Sequence, residues 1–330
     1  MSQKGIGRQV QVGVSRESTR GTSPATASFY ISWADLAFEE KYDNVVDVES
    51  YGVMEDSASE TRVKDYAQGV LKMPLLDKTF PLFLYSLLGT DAPTVHAGGT
   101  LSYDHALTVK QNSQHQSFTL YIHDPLAAQD YTHANCVVEK VEIDYAVKKF
   151  VDASISIKGL KGVQVGTLSP SQTAENRFVP QYLVFKMASA LSGLGGAAAT
   201  QVKSLKLTID QNIEDDEVLG QKAPRDFLTK EFKVEGTVEL IFNGESDFKT
   251  NALANTPQAM RLDLINTDVT LEGAINPEIR IDLAKAFFTE FSLPRKLKDL
   301  VYQTVKFKAV YSISDAQMIA IRATNLVAAY

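Results

Sequence analysis

A two-residue alternation of apolar and polar side chains recurs along this chain and constrains its fold more than any other feature. In 137–145 (VVEKVEIDY), Val137, Val141, Ile143 and Tyr145 point one way and Lys140, Glu142 and Asp144 the other. In 231–240 (EFKVEGTVEL), Phe232, Val234, Val238 and Leu240 oppose Glu231, Lys233, Glu235, Thr237 and Glu239. Segments 203–209, 278–283 and 305–311 alternate in the same way. Successive strand residues project to opposite faces, so these runs read as strands with one buried face. One polar face per strand implies antiparallel sheet covered on one side only.

Helix signals are few. Asp77–Leu88 (DKTFPLFLYSLL) opens on an Asp cap, admits Pro81 in its first turn and stops at Gly89, a matched start and stop. A shorter candidate, Glu245–Ala254, follows the Asn243-Gly244 turn. The expected class is mainly β with a small number of packed helices.

The chain also resembles itself. At an offset of 169, Arg8 falls on Arg177, Val10 on Val179, Val14 on Leu183 and Leu36 on Leu205. At 168, Asn44-Val45 falls on Asn212-Ile213 and Gly52 on Gly220; at 167, Gly69 falls on Gly236; at 165, Phe83 falls on Phe248. The offset then drops to 138, where 141–146 meets 279–284 and Phe150 meets Phe288. An insertion in the first half at about 91–116 accounts for the drop, and the second half has an extra loop at about 292–303. Two tandem copies are expected, 1–165 and 166–330, joined by a Gly-, Ser- and Pro-containing linker at 161–176. Chance alignment of β-rich sequence is the alternative.

Composition narrows the chemistry. Apolar residues make up 44% and charged residues 22% of the 330, so the chain can bury a core. Lys plus Arg is 33 against 40 Asp plus Glu, a net charge of −7, whereas proteins that grip phosphate backbones carry a basic excess. A single cysteine, Cys136, excludes an internal disulfide framework and a multi-cysteine zinc site. No apolar signal region occupies the first twenty residues, and the longest apolar run, Phe80–Leu88, is too short to span a bilayer. A protein made and kept in a cytoplasm, or in something assembled there, is expected.

No motif nominates catalysis. Gly193-Leu194-Gly195-Gly196-Ala197-Ala198 fits a dinucleotide-binding turn, but an alternating strand follows where that turn needs a helix. His133 lies three residues before Cys136, with His115 and His123 nearby; zinc would need four ligands, and a cysteine opening a strand is ordinarily a small buried hydrophobe. Glu214-Asp215-Asp216-Glu217 is consecutive, unlike a calcium loop, and reads as a solvated loop or a contact to a basic surface. No catalytic, cofactor or metal residue is expected.

The first ninety residues hold V-G-V-S-R-E-S-T-R-G-T (Val12 to Thr22), a Gly-led strand QGVLKMPL (68–75) and a helix ending FLYSLLG (83–89), with second-copy counterparts in 204–220 and 230–242. In these features the chain resembles the major tail tube protein of long-tailed, non-contractile (siphovirus-type) bacteriophages. The resemblance implies tandem β-sandwiches, each with a flanking helix, whose inner sheets join into a ring-shaped β-barrel. Rings stack into a tube that conducts the genome. A chain with two copies implies three chains in a pseudo-hexameric ring, with a six-chain ring as runner-up. Implied partners are copies of itself, tape-measure, tail-terminator and distal-tail proteins, and double-stranded DNA passing without specific binding; no membrane, cofactor or enzymatic activity is implied. The place implied is the virion tail, assembled in the host cytoplasm. A tail-associated glycan-degrading enzyme and a capsid-decoration or receptor-binding sandwich are the competing readings.

If strand 231–240 lies in the inner sheet, burial of its apolar face puts Glu231, Lys233, Glu235 and Glu239 on the channel wall. The same logic nominates Glu142 and Asp144, with Glu278 and Asp282 as their second-copy equivalents. Contacts between rings are expected from loops 47–62 and 214–228 and from the insertion 91–116, whose deletion should leave the fold intact.

Overall fold

Strands form where the alternation places them, and they run longer than the alternation alone indicates. A computed structural model describes residues 4–126, 130–242, 247–295, 297 and 300–330. The first half contributes β1 (Gln11–Arg16), β2 (Phe29–Ile31), β3 (Asp35–Val46), β4 (Glu60–Pro74), helix α1 (Phe80–Leu88), β5 (Gly89–Val95), β6 (Tyr103–Val109), β7 (Phe118–His123), β8 (Tyr131–Ala146), β9 (Asp152–Gly159) and β10 (Val163–Gln164). The second contributes β11 (Leu183–Ala188), β12 (Ala199–Thr200), β13 (Ser204–Asp210), β14 (Ile213–Asp216), β15 (Asp226–Thr229), β16 (Lys233–Ile241), helix α2 (Asp247–Leu253), β17 (Gln258–Ile265), β18 (Glu278–Ser292), β19 (Tyr302–Ala309) and β20 (Ile319–Asn325). The protein is mainly β, and the described strand pairs are antiparallel.

Pairing follows one order in both halves. In the first, β1 pairs β7, β7 pairs β8, β8 pairs β9, β9 pairs β4 and β4 pairs β3. In the second, β11 pairs β17, β17 pairs β18, β18 pairs β19, β19 pairs β16 and β16 pairs β13. Each long strand, β8 and β18, lends its first part to one sheet and its last part to the other. Each helix sets a phenylalanine edge-on against a ring of its own half, Phe83 on Phe118 and Phe248 on Phe288.

The halves meet through β8 and β13, which pair from Lys140 opposite Asp210 to Ala146 opposite Ser204. One continuous layer of eight strands results, in the order β3–β4–β9–β8–β13–β16–β19–β18. Its inward side chains include Leu71, Ile155, Ile143, Leu207, Val238 and Phe307, all at most 1% exposed. They pack against the helices and the outer strands in one apolar core shared by both halves.

Register corrects part of the sequence comparison. Gly69 lies opposite Phe38 and Ile157, and Gly236 opposite Leu207 and Phe307, so the two glycines hold matching pairing positions at an offset of 167. For the later strands the offset is 150, because Val138 pairs Ile157 and Phe288 pairs Phe307, each beside a bulge. The likeness of 141–146 to 279–284 is shared alternation only: the first runs beside β9 and the second beside β17. Since 150 holds on both sides of the β18–β19 connection, the extra residues of the second half fall at 266–277 instead of 292–303.

Three further expectations change. The insertion 91–116 is built into the sheet: β6 pairs β20, a strand of the second half, and buries Leu107 and His105 completely. The linker 161–176 is held along the first half through β10, a hydrogen bond from Thr173 N to Tyr30 O and the contact of Asn176 with Asp77. Helix α1 starts at Phe80, not Asp77. The carboxylate at its N-terminus is Glu175, which accepts from Thr79 N at 2.7 Å and Thr79 Oγ1 at 2.8 Å, while Asp77 accepts from Asn176. Gly89 does stop the helix, at φ 87°. Of the second helix candidate, 245 and 246 lie outside the described residues.

Candidate functional site

Burying one face of the eight-strand layer leaves the other open, and period two decides which side chains it carries. On β16, Val234 and Val238 are fully buried and Leu240 is 6% exposed, which turns Lys233, Glu235, Thr237 and Glu239 outward. On β8, burial of Val141, Ile143 and Tyr145 turns Lys140, Glu142 and Asp144 outward. Cross-strand neighbours share a face, so Thr208, Lys206, Ser154, Lys308 and Lys306 stand beside them. The structure brings Glu142, Asp144, Lys233, Glu235 and Glu239 onto one surface. Glu231 joins its rim through an ion pair with Lys233 at 3.0 Å.

Glu278 and Asp282 lie elsewhere. They sit on the first part of β18, between β17 and β20, where Arg322 bonds Glu278 at 2.5 Å and Arg261 binds Asp282 at 2.6 Å. Burial raises the Glu278 carboxyl, with Asp263 beside it adding to the shift. By register the second-half counterparts of Glu142 and Asp144 are Ser292 and Pro294, so the equivalence drawn from sequence does not hold.

The open face is close to charge balance. Acidic Asp35, Glu39, Asp43, Glu142, Asp144, Asp152, Asp210, Glu235, Glu239 and Glu290 intermingle with Lys41, Lys64, Lys72, Lys140, Lys158, Lys206, Lys233, Lys306 and Lys308. Each of those nine lysines lies within 4 Å of a carboxylate: Lys140 and Lys206 clamp Glu142 at 2.9 and 2.8 Å, Lys306 meets Glu290 at 2.6 Å, and Lys72 meets Asp35 at 3.0 Å. Lys41 pairs Glu39, Lys158 pairs Asp215 and Lys308 approaches Glu235. Hydrogen bonds from Lys206 and Lys140 hold Glu142 below the usual carboxylate range. Sequence reading missed most of these lysines, although the alternation of 203–209 and 305–311 placed Lys206, Lys306 and Lys308 on polar faces.

None of the sequence motifs assembles a reaction centre. Cys136 is buried, its Sγ donates to the His133 carbonyl at 3.2 Å, and burial pushes its thiol far up. His133 faces the Leu160 carbonyl at 3.3 Å, and burial lowers its pKa. The segment 193–198 leads into β12, not a helix. The acidic run forms β14, where Asp215 takes Lys64 at 2.6 Å and Asp216 takes Arg225 at 2.7 Å. Among the described residues no group of three or more His, Cys, Asp or Glu is placed to hold a metal ion, and no helix is long and apolar enough to cross a membrane.

What the molecule offers is a broad polar sheet face, two open sheet edges at β3 and β18, and long projecting hairpins. A family model described as phage tail tube protein matches residues 7–319. The chain belongs to that family. A search of curated proteins returned no match. This tail tube protein is a structural component of the virion tail, and self-assembly into a tube with the other tail proteins is its task. A smooth sheet face and unsatisfied sheet edges are the features such a task needs.

Proposed function

We propose that this tail tube protein carries two tandem copies of the tube domain, 1–165 and 166–330, and that three chains close a pseudo-hexameric ring around a DNA channel. The observation that carries the reading is the β8–β13 junction, which fuses four strands of each half into one layer with a single polar face. Three such layers give about 24 strands at about 4.8 Å each, a circumference near 115 Å. Strand tilt widens it further, leaving room for a duplex inside. Closure also pairs the two open edges, which would otherwise template uncontrolled aggregation.

The polar face then lines the channel. A wall whose lysines are already engaged by carboxylates offers phosphates no basic track, so DNA slides without being held. Stacked rings form the conduit for genome ejection, with tape-measure, terminator and distal-tail proteins at its interior and ends. Negative-stain microscopy and mass measurement of the purified protein test the reading. Tubes or stacked rings of three chains are expected. Six chains per ring would overturn the stoichiometry, and a monomer that never assembles would overturn the ring.

A further inference from the structure

The junction inside the chain has a second, unfilled copy at its ends. In the first half β8 receives β13; by register, β18 is the counterpart of β8 at an offset of 150, and β3 is the counterpart of β13 at 169. Among the described residues the β17-side edge of β18 beyond Ala286 pairs with no strand, and neither does the outer edge of β3. The second-half hairpin β14–β15 also docks on the first half. It buries Ile213 and Phe227 against Val137 and Leu160, and anchors Asp226 on Arg20, Gln114 and Asn135. Its first-half counterpart, the tip of the β3–β4 hairpin, leaves Val45 57%, Val48 92% and Met54 102% exposed among the described residues. One half thus has its arm and edge satisfied within the chain, while the other presents both to solvent.

We propose that a second copy of this chain fills the vacancy by the same geometry: β3 of one chain adds antiparallel to β18 of the next, with residues whose numbers sum to 331 facing each other. The inference rests on the ring reading and specifies its contacts. Within the chain, facing residues of β8 and β13 sum to 350, as in Lys140 opposite Asp210. Applying the two offsets puts Lys41 opposite Glu290, Glu40 opposite Phe291 and Glu39 opposite Ser292. The opposite-charge pair of the internal junction is reproduced with its signs exchanged, which favours this register.

Proline supplies an independent check. Gln211 N donates to Glu139 O, so 139 and 211 are a hydrogen-bonded pair, and 140/210, 142/208 and 144/206 are not. Pro294, the counterpart of Asp144, therefore falls where β3 needs no N–H from it. A one-residue slip of β3 would turn every one of its side chains to the wrong face. By the same transfer the Val45 arm reaches Phe287 and Val310, the half-exposed counterparts of Val137 and Leu160.

Paired cysteines test the register. Lys41→Cys with Glu290→Cys places two thiols on a non-hydrogen-bonded pair, about 4.5 Å between Cα atoms, within disulfide reach. Cys136 is fully buried and does not compete. In assembled full-length protein, mild oxidation should link most chains into covalent dimers and trimers on a non-reducing gel. Asp43→Cys with Glu290→Cys, displaced by two residues, should stay unlinked. Tubes in which the 41/290 pair stays unlinked, or in which the 43/290 pair links instead, would overturn the register and leave the ring reading standing; protein that never assembles would overturn both.

Charge exchange covers the case in which the cysteine variants fail to fold. Lys41→Glu or Glu290→Lys alone should raise the concentration needed for assembly about fivefold, since like charges face each other. Combining them should restore it. An additive double variant would overturn the pairing.

Discussion

Glu175 is the residue whose charge state the fold controls most visibly. Burial pushes its carboxyl up to about 7, against the lowering by its two bonds from Thr79. Its Oε1 is buried without a hydrogen-bond partner among the described residues, which suits a protonated acid. The folded chain therefore keeps a proton that the unfolded chain releases near the ordinary value of 4.5. Stability from this group is complete below about 4.5 and is lost as pH rises toward 7. Glu175→Gln should remove that slope and be the more stable form above pH 7, by at most about 3 kcal/mol. Denaturant titrations at several pH values check it, and parallel curves for the two proteins would contradict it. Gly69 and Gly236 make a second residue-scale case, because both lie on the core face of equivalent strands. A Cβ on Gly69 would come within 2.0 Å of the Ala37 carbonyl oxygen, whereas one on Gly236 would meet the Phe307 ring at 2.4 Å. A Cβ on Gly236 would also meet the Lys206 carbonyl oxygen at 2.7 Å, so both substitutions press on backbone, more severely at Gly69; Gly69→Ala should cost about 3 kcal/mol and Gly236→Ala about 2, read as the difference in unfolding free energy.

At the scale of elements, the β5–β6 hairpin shows where alternation stops being informative. Its residues alternate only weakly, so 91–116 reads as a dispensable loop, yet β6 covers the edge of β20 and buries Leu107 completely. Deleting 91–116 should expose that edge and destabilise the monomer, not merely impair stacking. Leu107→Ala alone should cost about 2–5 kcal/mol, measurable by thermal unfolding, and an unchanged midpoint would return the hairpin to the status of a loop. The strands of the eight-strand layer were legible because one face is buried and the other wet; Val234, Val238 and Glu235 sort themselves by polarity. What alternation cannot convey is the partner of each strand. Segments 141–146 and 278–283 carry the same pattern because both bury one face, and only the bulges beside Val138 and Phe288 distinguish their places. For that reason the sequence places Glu142, Asp144, Glu278 and Asp282 on one polar face alike, whereas the structure keeps the first two on the open face and sets the other two between β17 and β20. The cap of α1 was misread for a related reason: Asp77 stands in the usual place, but Glu175, 96 residues beyond Thr79, supplies the acceptor.

The whole molecule is acidic, at −7, while its broad open face is nearly neutral. Ten carboxylates meet nine lysines there, and every one of those lysines has a carboxylate within 4 Å. Neutral here means self-satisfied, since a passing phosphate would have to displace an existing partner to gain a lysine. If this face is the channel wall, that arrangement lets many cations stand along it without gripping a polyanion. Reversing Glu235 and Glu239 to lysine breaks it. Both sit on the open face of β16, Glu235 with 58% of its side chain exposed and only a 3.8 Å approach to Lys308, so folding should change little. The double substitution adds four positive charges per chain and leaves the neighbouring Lys308 and Lys306 facing further cations. If this face is the channel wall, DNA should move through the variant tube more slowly, and the delay should shrink as salt rises, because the new contacts act through counterion release. Ejection timed on particles carrying the variant, at low and high salt, separates this from a defect of assembly, which salt would not repair in that direction. Normal ejection from normal tubes at low salt would place β16 on the outer wall.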